Sequence, residues 1–175
     1  MVDKILLVDD DPNILSGYER QLRRRGNYEI NTAQNGAQAM TLIVDHGPYA
    51  VVVSDMQMPG MSGIKFLSLV QEHEPDTVRI MLTGQADLQT AIEAVNQGHI
   101  FRFLTKPCNT DTLEQVLKLG IRQYQLLKSE KELLEQTLKG SIQLMTDILG
   151  LLNPEAFSRA SHIRLCILHM LKELQ

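Results

Sequence analysis

Hydrophobic and polar residues alternate in blocks through residues 1–108. Short runs rich in β-branched and aliphatic residues separate longer segments in which apolar residues recur at helical spacing. The short runs predict buried strands, and the longer segments predict amphipathic helices. The predicted strands are Lys4–Asp9, Tyr28–Ala33, Tyr49–Asp55, Val78–Leu82 and Ile100–Thr105, and the predicted helices between them cover 12–25, 35–46, 62–73 and 87–97. This alternation predicts an α/β domain, a doubly wound five-stranded parallel sheet with helices on both faces.

Capping residues fall at the predicted helix boundaries. Asp11 followed by Pro12 offers an N-cap and a proline at the first helical position. Glycines stand where three of the helices should end, at Gly26, Gly47 and Gly98. These residues support the division into strands and helices independently of the hydrophobic pattern.

Residues 110–152 show a different pattern, a heptad repeat. Two series of positions spaced by seven are mostly apolar, and they contain Leu113, Leu127, Leu134 and Ile148 in the first and Leu117, Leu138, Met145 and Leu152 in the second. Such a repeat is typical of a coiled coil. A helix of this length would extend ~65 Å, more than one small domain can cover. We therefore expect a homodimer through 113–152; two helices bent at Gly120 or Gly140 are the alternative.

The last segment, 153–175, begins with Asn153-Pro154, which ends the long helix. Residues 155–175 then predict one more amphipathic helix whose pattern has no second core to pack against. We interpret 153–175 as the start of a truncated output domain, with a pure interaction helix as the alternative. The expected organisation is a globular domain over 1–125, a long helix over 110–152 continuous with its last helix, and this terminal segment.

Composition narrows the class of protein. The chain has 175 residues, of which 43% are hydrophobic and 22% are charged, as in a soluble globular protein. It lacks a run of ~20 apolar residues and an N-terminal signal pattern, so we expect a cytoplasmic protein with no membrane partner. The net charge of −4 gives no basic surplus, so we expect no nucleic-acid partner. Cys108 and Cys166 are too far apart for a metal or redox motif.

Acidic residues end two of the predicted strands. Asp9 and Asp10 end the apolar run Ile5–Val8 of the first strand, and Asp55 ends the third strand. The carboxyl ends of parallel strands face one crevice, so these three carboxylates should lie close together. Like charges at short distance repel one another, which indicates a hard divalent cation such as Mg²⁺ among them.

A hydroxyl and an ammonium group end two further strands. Thr83 precedes Gly84 at the end of the fourth strand, and Lys106 precedes Pro107 at the end of the fifth. A carboxylate can attack a phosphoryl donor, and hydroxyl and ammonium groups can stabilise the transferred group. Taken singly, Thr83 could be an ordinary strand-end residue and Lys106 an ordinary surface cation.

The order and spacing of four motifs identify a family resemblance. They are Leu-Val-Asp-Asp-Asp (7–11), Ser-Asp-Met-Gln-Met-Pro-Gly-Met-Ser-Gly (54–63), Leu-Thr-Gly (82–84) and Leu-Thr-Lys-Pro (104–107). Through them, residues 3–125 resemble the response-regulator receiver domain of two-component signalling. The resemblance implies a flavodoxin-like sheet with strand order 2-1-3-4-5. It also implies a response regulator of a phosphorelay, in which only self-catalysed phosphorylation and dephosphorylation of an aspartate is expected.

The resemblance also implies roles for individual residues. Asp55 would accept the phosphoryl group of a cognate histidine kinase, with Mg²⁺ held by Asp9, Asp10, Asp55 and the backbone carbonyl of Gln57. Two side chains would contact the phosphoryl group, those of Thr83 and Lys106. Phe103 would be the aromatic residue that turns inward when Thr83 moves. The remaining neighbours of the phosphoryl site would be Gly84, Gln85 and Pro107, the last following a peptide bond that is often cis in this family.

A weaker resemblance concerns the output. Leu-Lys-Gly-Ser-Ile (138–142) and the segment 152–161 resemble the helices that open HD or HD-GYP phosphohydrolase domains. The chain has no His-Asp dipeptide and no Gly-Tyr-Pro, so the catalytic residues of such a domain are missing from it. Two alternative functions therefore stand beside the phosphorelay switch. One is the regulatory part of an HD-type cyclic-di-GMP phosphodiesterase, and the other is a coiled-coil adaptor that is not phosphorylated.

Overall fold

A computed structural model describes residues 3–84 and 100–152 of the chain. The strands are β1 (Asp3–Val8), β2 (Tyr28–Ala33), β3 (Val51–Asp55), β4 (Val78–Thr83) and β5 (Arg102–Thr105). The helices are α1 (Pro12–Arg25), α2 (Gly36–His46), α3 (Gly63–His73) and α4 (Thr110–Leu152). The helix predicted over 87–97 and the segment predicted over 153–175 lie outside the described residues.

The strands form one parallel sheet in the order β2-β1-β3-β4-β5. This order confirms the predicted flavodoxin-like fold. The register places apolar residues side by side: Ile5 lies between Ile30 of β2 and Val51 of β3, and Val53 pairs with Ile80 of β4. The inner strands are buried on both faces, which explains why they read as continuous apolar runs rather than as alternating ones.

Successive side chains of the strands point to opposite faces and enter two separate cores. Ile5 and Leu7 face the first core, together with residues of α1 and α4 such as Leu22 and Leu117. Leu6 faces the second core, which holds residues of α2 and α3, among them Ala39, Ile43, Phe66, Leu67 and Val70. Helices therefore cover both faces of the sheet, as the alternation of patterns predicts.

Local capping explains where the helices begin and end. The side chain of Asp11 accepts a hydrogen bond from the backbone N–H of Asn13 at 2.8 Å, and Pro12 is the first residue of α1. Gly26 and Gly47 follow the last residues of α1 and α2, as predicted. Two predicted strand starts are wrong by two residues. The N–H of Tyr49 donates to the carboxylate of Glu74 instead of a neighbouring strand, and β3 begins only at Val51. β5 likewise begins two residues later than predicted.

Backbone contacts divide the chain into two units, Met1–Lys128 and Ser129–Gln175. In the first unit, Gly120 of α4 packs directly on the sheet, since an added Cβ would lie 3.2 Å from methyl groups of both Val51 and Val78. In the described part of the second unit, 129–152, the large apolar side chains are between 47% and 82% exposed. α4 includes both Gly120 and Gly140, so neither glycine ends it. Among the helices described, none is long and apolar enough to cross a membrane.

Candidate functional site

The register of the sheet brings the ends of β1 and β3 to the same level. Val8 pairs with Ser54, so the residues that follow them, Asp9 and Asp55, leave neighbouring strands side by side. Both aspartates are buried, whereas the adjacent Asp10 is exposed. One carboxylate oxygen from each of the three lies within 4.8 Å of the others. The three carboxylates that the sequence placed at one edge of the sheet are therefore close together.

Lys106 reaches the same edge from β5. Its Nζ lies 2.7 Å from Oδ2 of Asp9 and 3.0 Å from Oδ1 of Asp55. Thr105 pairs with Thr83 in the sheet, and the N–H of Lys106 donates to the carbonyl of Thr83 at 2.8 Å. The lysine side chain is therefore directed at the carboxylates by the last backbone bonds of β5.

The charges of this cluster perturb one another. Burial raises the pKa of Asp55, the nearby charge of Asp9 raises it further, and the hydrogen bond from Lys106 only partly offsets the rise. Burial lowers the pKa of Lys106, but its hydrogen bonds to Asp9 and Asp55 outweigh that effect, so the pKa of Lys106 is raised overall. The ammonium group stays charged at neutral pH and balances part of the negative charge.

The backbone after β3 fixes the carboxylate of Asp55. The N–H of Met56 donates to Oδ1 of Asp55 at 2.9 Å, and the hydroxyl of Ser54 donates to the carbonyl of Asp55 at 2.9 Å. The N–H of Gly63 donates to the carbonyl of Met56 at 2.9 Å. A Cβ on Gly63 would lie 2.0 Å from the carbonyl oxygen of Asp55, so only glycine allows this approach.

Thr83 is buried at the end of β4, and in the described residues its hydroxyl contacts acceptors other than the three carboxylates. It lies 3.3 Å from the sulfur of Met56 and 3.2 Å from the carbonyl of Gly84. Phe103 is half-buried against the second core. Gln57 is exposed, and the peptide bond between Lys106 and Pro107 is cis. Gln85 lies outside the described residues.

The donor set of the cluster fits a magnesium ion. Carboxylate oxygens are the ligands that hard divalent cations prefer, and two or three converging acidic side chains are a common magnesium site. In the part of the chain that the structure describes, Asp9, Asp10 and Asp55 are the group of this kind. Lys106 supplies one positive charge for three negative ones, so a cation would relieve the remaining repulsion.

Two contacts between side chains of different elements were not predicted from the sequence. The first is the contact between Thr83 and Met56; it follows from the pairing of Asp55 with Leu82, because the next residue of each strand then lies side by side. The second is the ion pairing of Arg25 with Asp111 and Glu114, which links α1 to α4. Arg25 is the last of three consecutive arginines in the final turn of α1, where positive charge is favourable near the helix C-terminus.

Comparison with known families decides the identity of the domain. The family model described as response regulator receiver domain matches residues 5–118. The chain belongs to this family. Solved receiver structures agree: the receiver domain protein of Clostridium thermocellum is 31% identical with a TM-score of 0.68, over 72% of this chain and 99% of that one.

Other relatives of this receiver carry different names. The regulatory protein AtoC of Escherichia coli K12 is 35% identical over 142 residues, and NtrC of the same strain, a DNA-binding transcriptional regulator, is 32% identical over 149 residues. The chain spans 30% of AtoC and 29% of NtrC, while these matches cover 81% and 83% of the chain. Their names count weakly against the expectation that the protein has no nucleic-acid partner.

Two further solved structures of similar chains bear other names. A structure titled adenylate cyclase from Rhodopirellula baltica is 41% identical with a TM-score of 0.74, over 77% of this chain and 98% of that one. The signal receiver domain of an HD domain-containing protein from Pseudomonas fluorescens Pf-5 is 31% identical with a TM-score of 0.65, over 71% and 98%. Similar receivers thus occur in proteins that carry different names.

Proposed function

We propose that this receiver is a phosphoryl-accepting switch of a two-component phosphorelay, with Asp55 as the acceptor and a histidine kinase as the donor. The observation that carries the proposal is the placement of the Asp55 carboxylate, which is buried beside Asp9 and Asp10 and bonded to Lys106. Membership of the receiver family supports the same function.

Each residue of the proposed site has a separate role in phosphoryl transfer. An oxygen of Asp55 attacks the phosphorus, the bond from phosphorus to the kinase histidine breaks, and an acyl phosphate forms. Lys106 and the hydroxyl of Thr83 donate hydrogen bonds to the transferred group. Asp9, Asp10, Asp55 and the carbonyl of Gln57 would hold Mg²⁺, which when bound supplies positive charge against the carboxylates and the phosphoryl oxygens. Movement of Thr83 toward the phosphoryl group would let Phe103 turn inward and change the adjoining surface.

A phosphodonor tests this function directly. With acetyl phosphate and Mg²⁺, the intact protein should gain one phosphoryl group by mass spectrometry, and Asp55→Asn should abolish the gain. Asp45→Asn, an exposed aspartate on α2, is the matched control and should be labelled like the wild type. Labelling that survives Asp55→Asn would disprove the assignment of the acceptor.

We also propose that the long helix joins two receivers in a homodimer. The sequence predicts an interface over 113–152, but Leu113, Leu117 and Gly120 are buried in the first unit, so the proposed interface lies beyond Gly120. The described part of the second unit supports this, because it exposes a broad stripe of apolar side chains, Leu133, Leu134, Leu138, Ile142, Leu144, Met145, Ile148, Leu149, Leu151 and Leu152. An apolar stripe of this extent on a helix is typical of an interface.

Light scattering tests the dimer. Leu134→Lys with Leu138→Lys places charges on the heptad stripe and should give monomers. Glu132→Lys with Gln136→Lys, on the opposite side of the helix, is the matched control and should leave the mass unchanged. A dimeric mass for the first variant would refute this interface.

If beryllium fluoride, a phosphoryl analogue, changes neither the mass nor the helix geometry, the adaptor hypothesis is favoured over the switch.

Within this proposal the receiver covers 1–125, the signalling helix 110–152, and an output domain begins within 153–175. An HD-type phosphohydrolase is the second candidate for the whole protein, and the similar receiver of an HD domain-containing protein supports it. Sequencing the parent gene downstream of codon 175 tests this candidate. A His-Asp pair with further metal ligands would support it, and a DNA-binding domain there would overturn it.

A further inference from the structure

Among the described residues, the hydroxyl of Thr83 has two acceptors, and neither is a carboxylate. It lies 3.3 Å from the sulfur of Met56 and 3.2 Å from the carbonyl oxygen of Gly84. A hydroxyl has a single hydrogen to donate, so these two acceptors share it. To donate to a phosphoryl group on Asp55, as the proposed function requires, the hydroxyl must leave both.

Backbone hydrogen bonds hold the main chain of Met56, and burial in the second core limits its side chain. The N–H of Met56 lies 2.9 Å from the carbonyl of Leu82 and 2.9 Å from Oδ1 of Asp55. The side chain is 8% exposed and packs in the second core with neighbours such as Met81 and Phe66. The thioether is therefore held beside Thr83 by both strands and by the core.

The Met56 sulfur and a phosphoryl group on Asp55 would compete unequally for the Thr83 hydroxyl. A thioether sulfur is a weak hydrogen-bond acceptor, whereas the charged oxygens of a phosphoryl group are strong ones. A weak acceptor can hold the hydroxyl in the resting arrangement and still give it up when a phosphoryl group arrives. We propose that Met56 is a positioning residue: its sulfur, together with the carbonyl of Gly84, engages the Thr83 hydroxyl in the unphosphorylated receiver and so weakens binding of the phosphoryl group. This inference rests on the proposed function.

The alternative is that Met56 only fills the core. Met58 offers a direct comparison, because it is also buried, at 9% exposed, and its sulfur lies 4.0 Å from the hydroxyl of Ser54. That hydroxyl already donates to the carbonyl of Asp55 at 2.9 Å, so the sulfur of Met58 restrains nothing at the site. Substitution of either methionine by leucine removes a sulfur at nearly constant volume. Only the substitution of Met56 should alter the response to a phosphoryl group.

The test measures the affinity for beryllium fluoride in the presence of Mg²⁺ by isothermal titration calorimetry. Met56→Leu should bind about two- to fivefold more tightly than the wild type, the effect of losing one weak hydrogen bond in the free state. Met58→Leu should bind like the wild type. Thr83→Val removes the hydroxyl, and in that background Met56→Leu should cause no further change. A core-filling role would not produce this dependence on Thr83.

A second measurement needs no phosphoryl group. The χ1 rotamer populations of Thr83, obtained from NMR coupling constants of the free protein, should shift in Met56→Leu and stay unchanged in Met58→Leu. Met56→Ile, which also lacks the acceptor, replaces Met56→Leu if that variant does not fold. An unchanged rotamer distribution, or an equal gain in affinity with and without the Thr83 hydroxyl, would overturn the inference. Failure of the wild type to be phosphorylated would instead overturn the proposed function, and the rotamer measurement would still decide the role of Met56.

Discussion

Lys106→Met removes the positive charge that lies between Asp9 and Asp55. At separations of 2.7 and 3.0 Å, each attraction is worth about 6 kcal/mol for an effective dielectric constant near 20. Each pair of carboxylates within 4.8 Å is repelled by about 3.5 kcal/mol or more on the same scale. The lysine side chain is 26% exposed, and the desolvation of its ammonium group offsets much of the gross attraction. We expect a net loss of about 2–3 kcal/mol in the free energy of unfolding, somewhat below the cost of breaking a fully buried pair.

Magnesium should recover part of this loss. The variant leaves three carboxylates without their lysine, so a divalent cation at the same place has more repulsion to relieve than in the wild type. The stabilisation grows with the logarithm of the metal concentration above its dissociation constant. Urea unfolding followed by circular dichroism, in chelator and then in millimolar Mg²⁺, measures both effects. Lys65→Met, at an exposed position of α3, is the matched control and should change neither value.

Two results would refute this reasoning. The first is a Lys106→Met variant that is as stable as the wild type in chelator, which would mean that the lysine does not balance the carboxylates. The second is an equal magnesium effect on both proteins, which would mean that the ion and the lysine act at separate places. Adding Asp9→Asn to the variant removes one carboxylate and should restore part of the stability.

Three further predictions concern Asp55, the adjoining Gly63, and the core residue Leu117. Burial raises the pKa of Asp55 above 3.8, so the protonated carboxyl stabilises the fold below pH 3.8 and this stabilisation is lost as pH rises through the raised pKa. In chelator, Asp55→Asn should therefore be more stable than the wild type at pH 7. Thermal unfolding should show the difference in stability between the two proteins closing near pH 4. Gly63→Ala should lower stability by about 1–3 kcal/mol and slow phosphorylation by acetyl phosphate, unlike Gly17→Ala, where the added methyl meets nothing within 4 Å. Leu117→Ala should cost about 2–5 kcal/mol in urea unfolding, because the side chain is fully buried.

Much of the fold follows from the sequence because its signals are local. The strands read as apolar runs since the sheet is covered on both faces, and Asp11 and Pro12 begin α1 as capping chemistry requires. The meeting of Asp9 with Asp55 also follows, because parallel strands end at one edge of the sheet. The start of β3 could not be predicted, since it depends on a hydrogen bond from Tyr49 to the distant Glu74.

Contacts between side chains of elements far apart in the chain could not be predicted from the sequence alone. Arg25 lies in a basic run that helix capping explains, and its pairing with Asp111 depends on how α1 and α4 pack. The contact of Thr83 with Met56 depends on the register of β3 against β4. Once the strand order is known, this second contact can be derived, whereas the first requires the packing of two helices. Strand pairing therefore determines the contact of Thr83 with Met56, whereas the packing of α1 on α4 determines the pairing of Arg25 with Asp111.

The heptad repeat of the last helix shows why burial is needed beside periodicity. Leu113, Leu117 and Gly120 belong to the repeat and are buried within the first unit, where Gly120 packs closely on the sheet. Leu134 and Leu138 continue the same two series but are 61% and 55% exposed. Apolar residues spaced by seven can pack on a sheet or on a second helix. The repeat alone therefore does not show at which residue packing on the sheet ends and packing on a second helix begins. The change in burial places that point between Gly120 and Leu134, and the heptad residues beyond it are the ones that a dimer must cover.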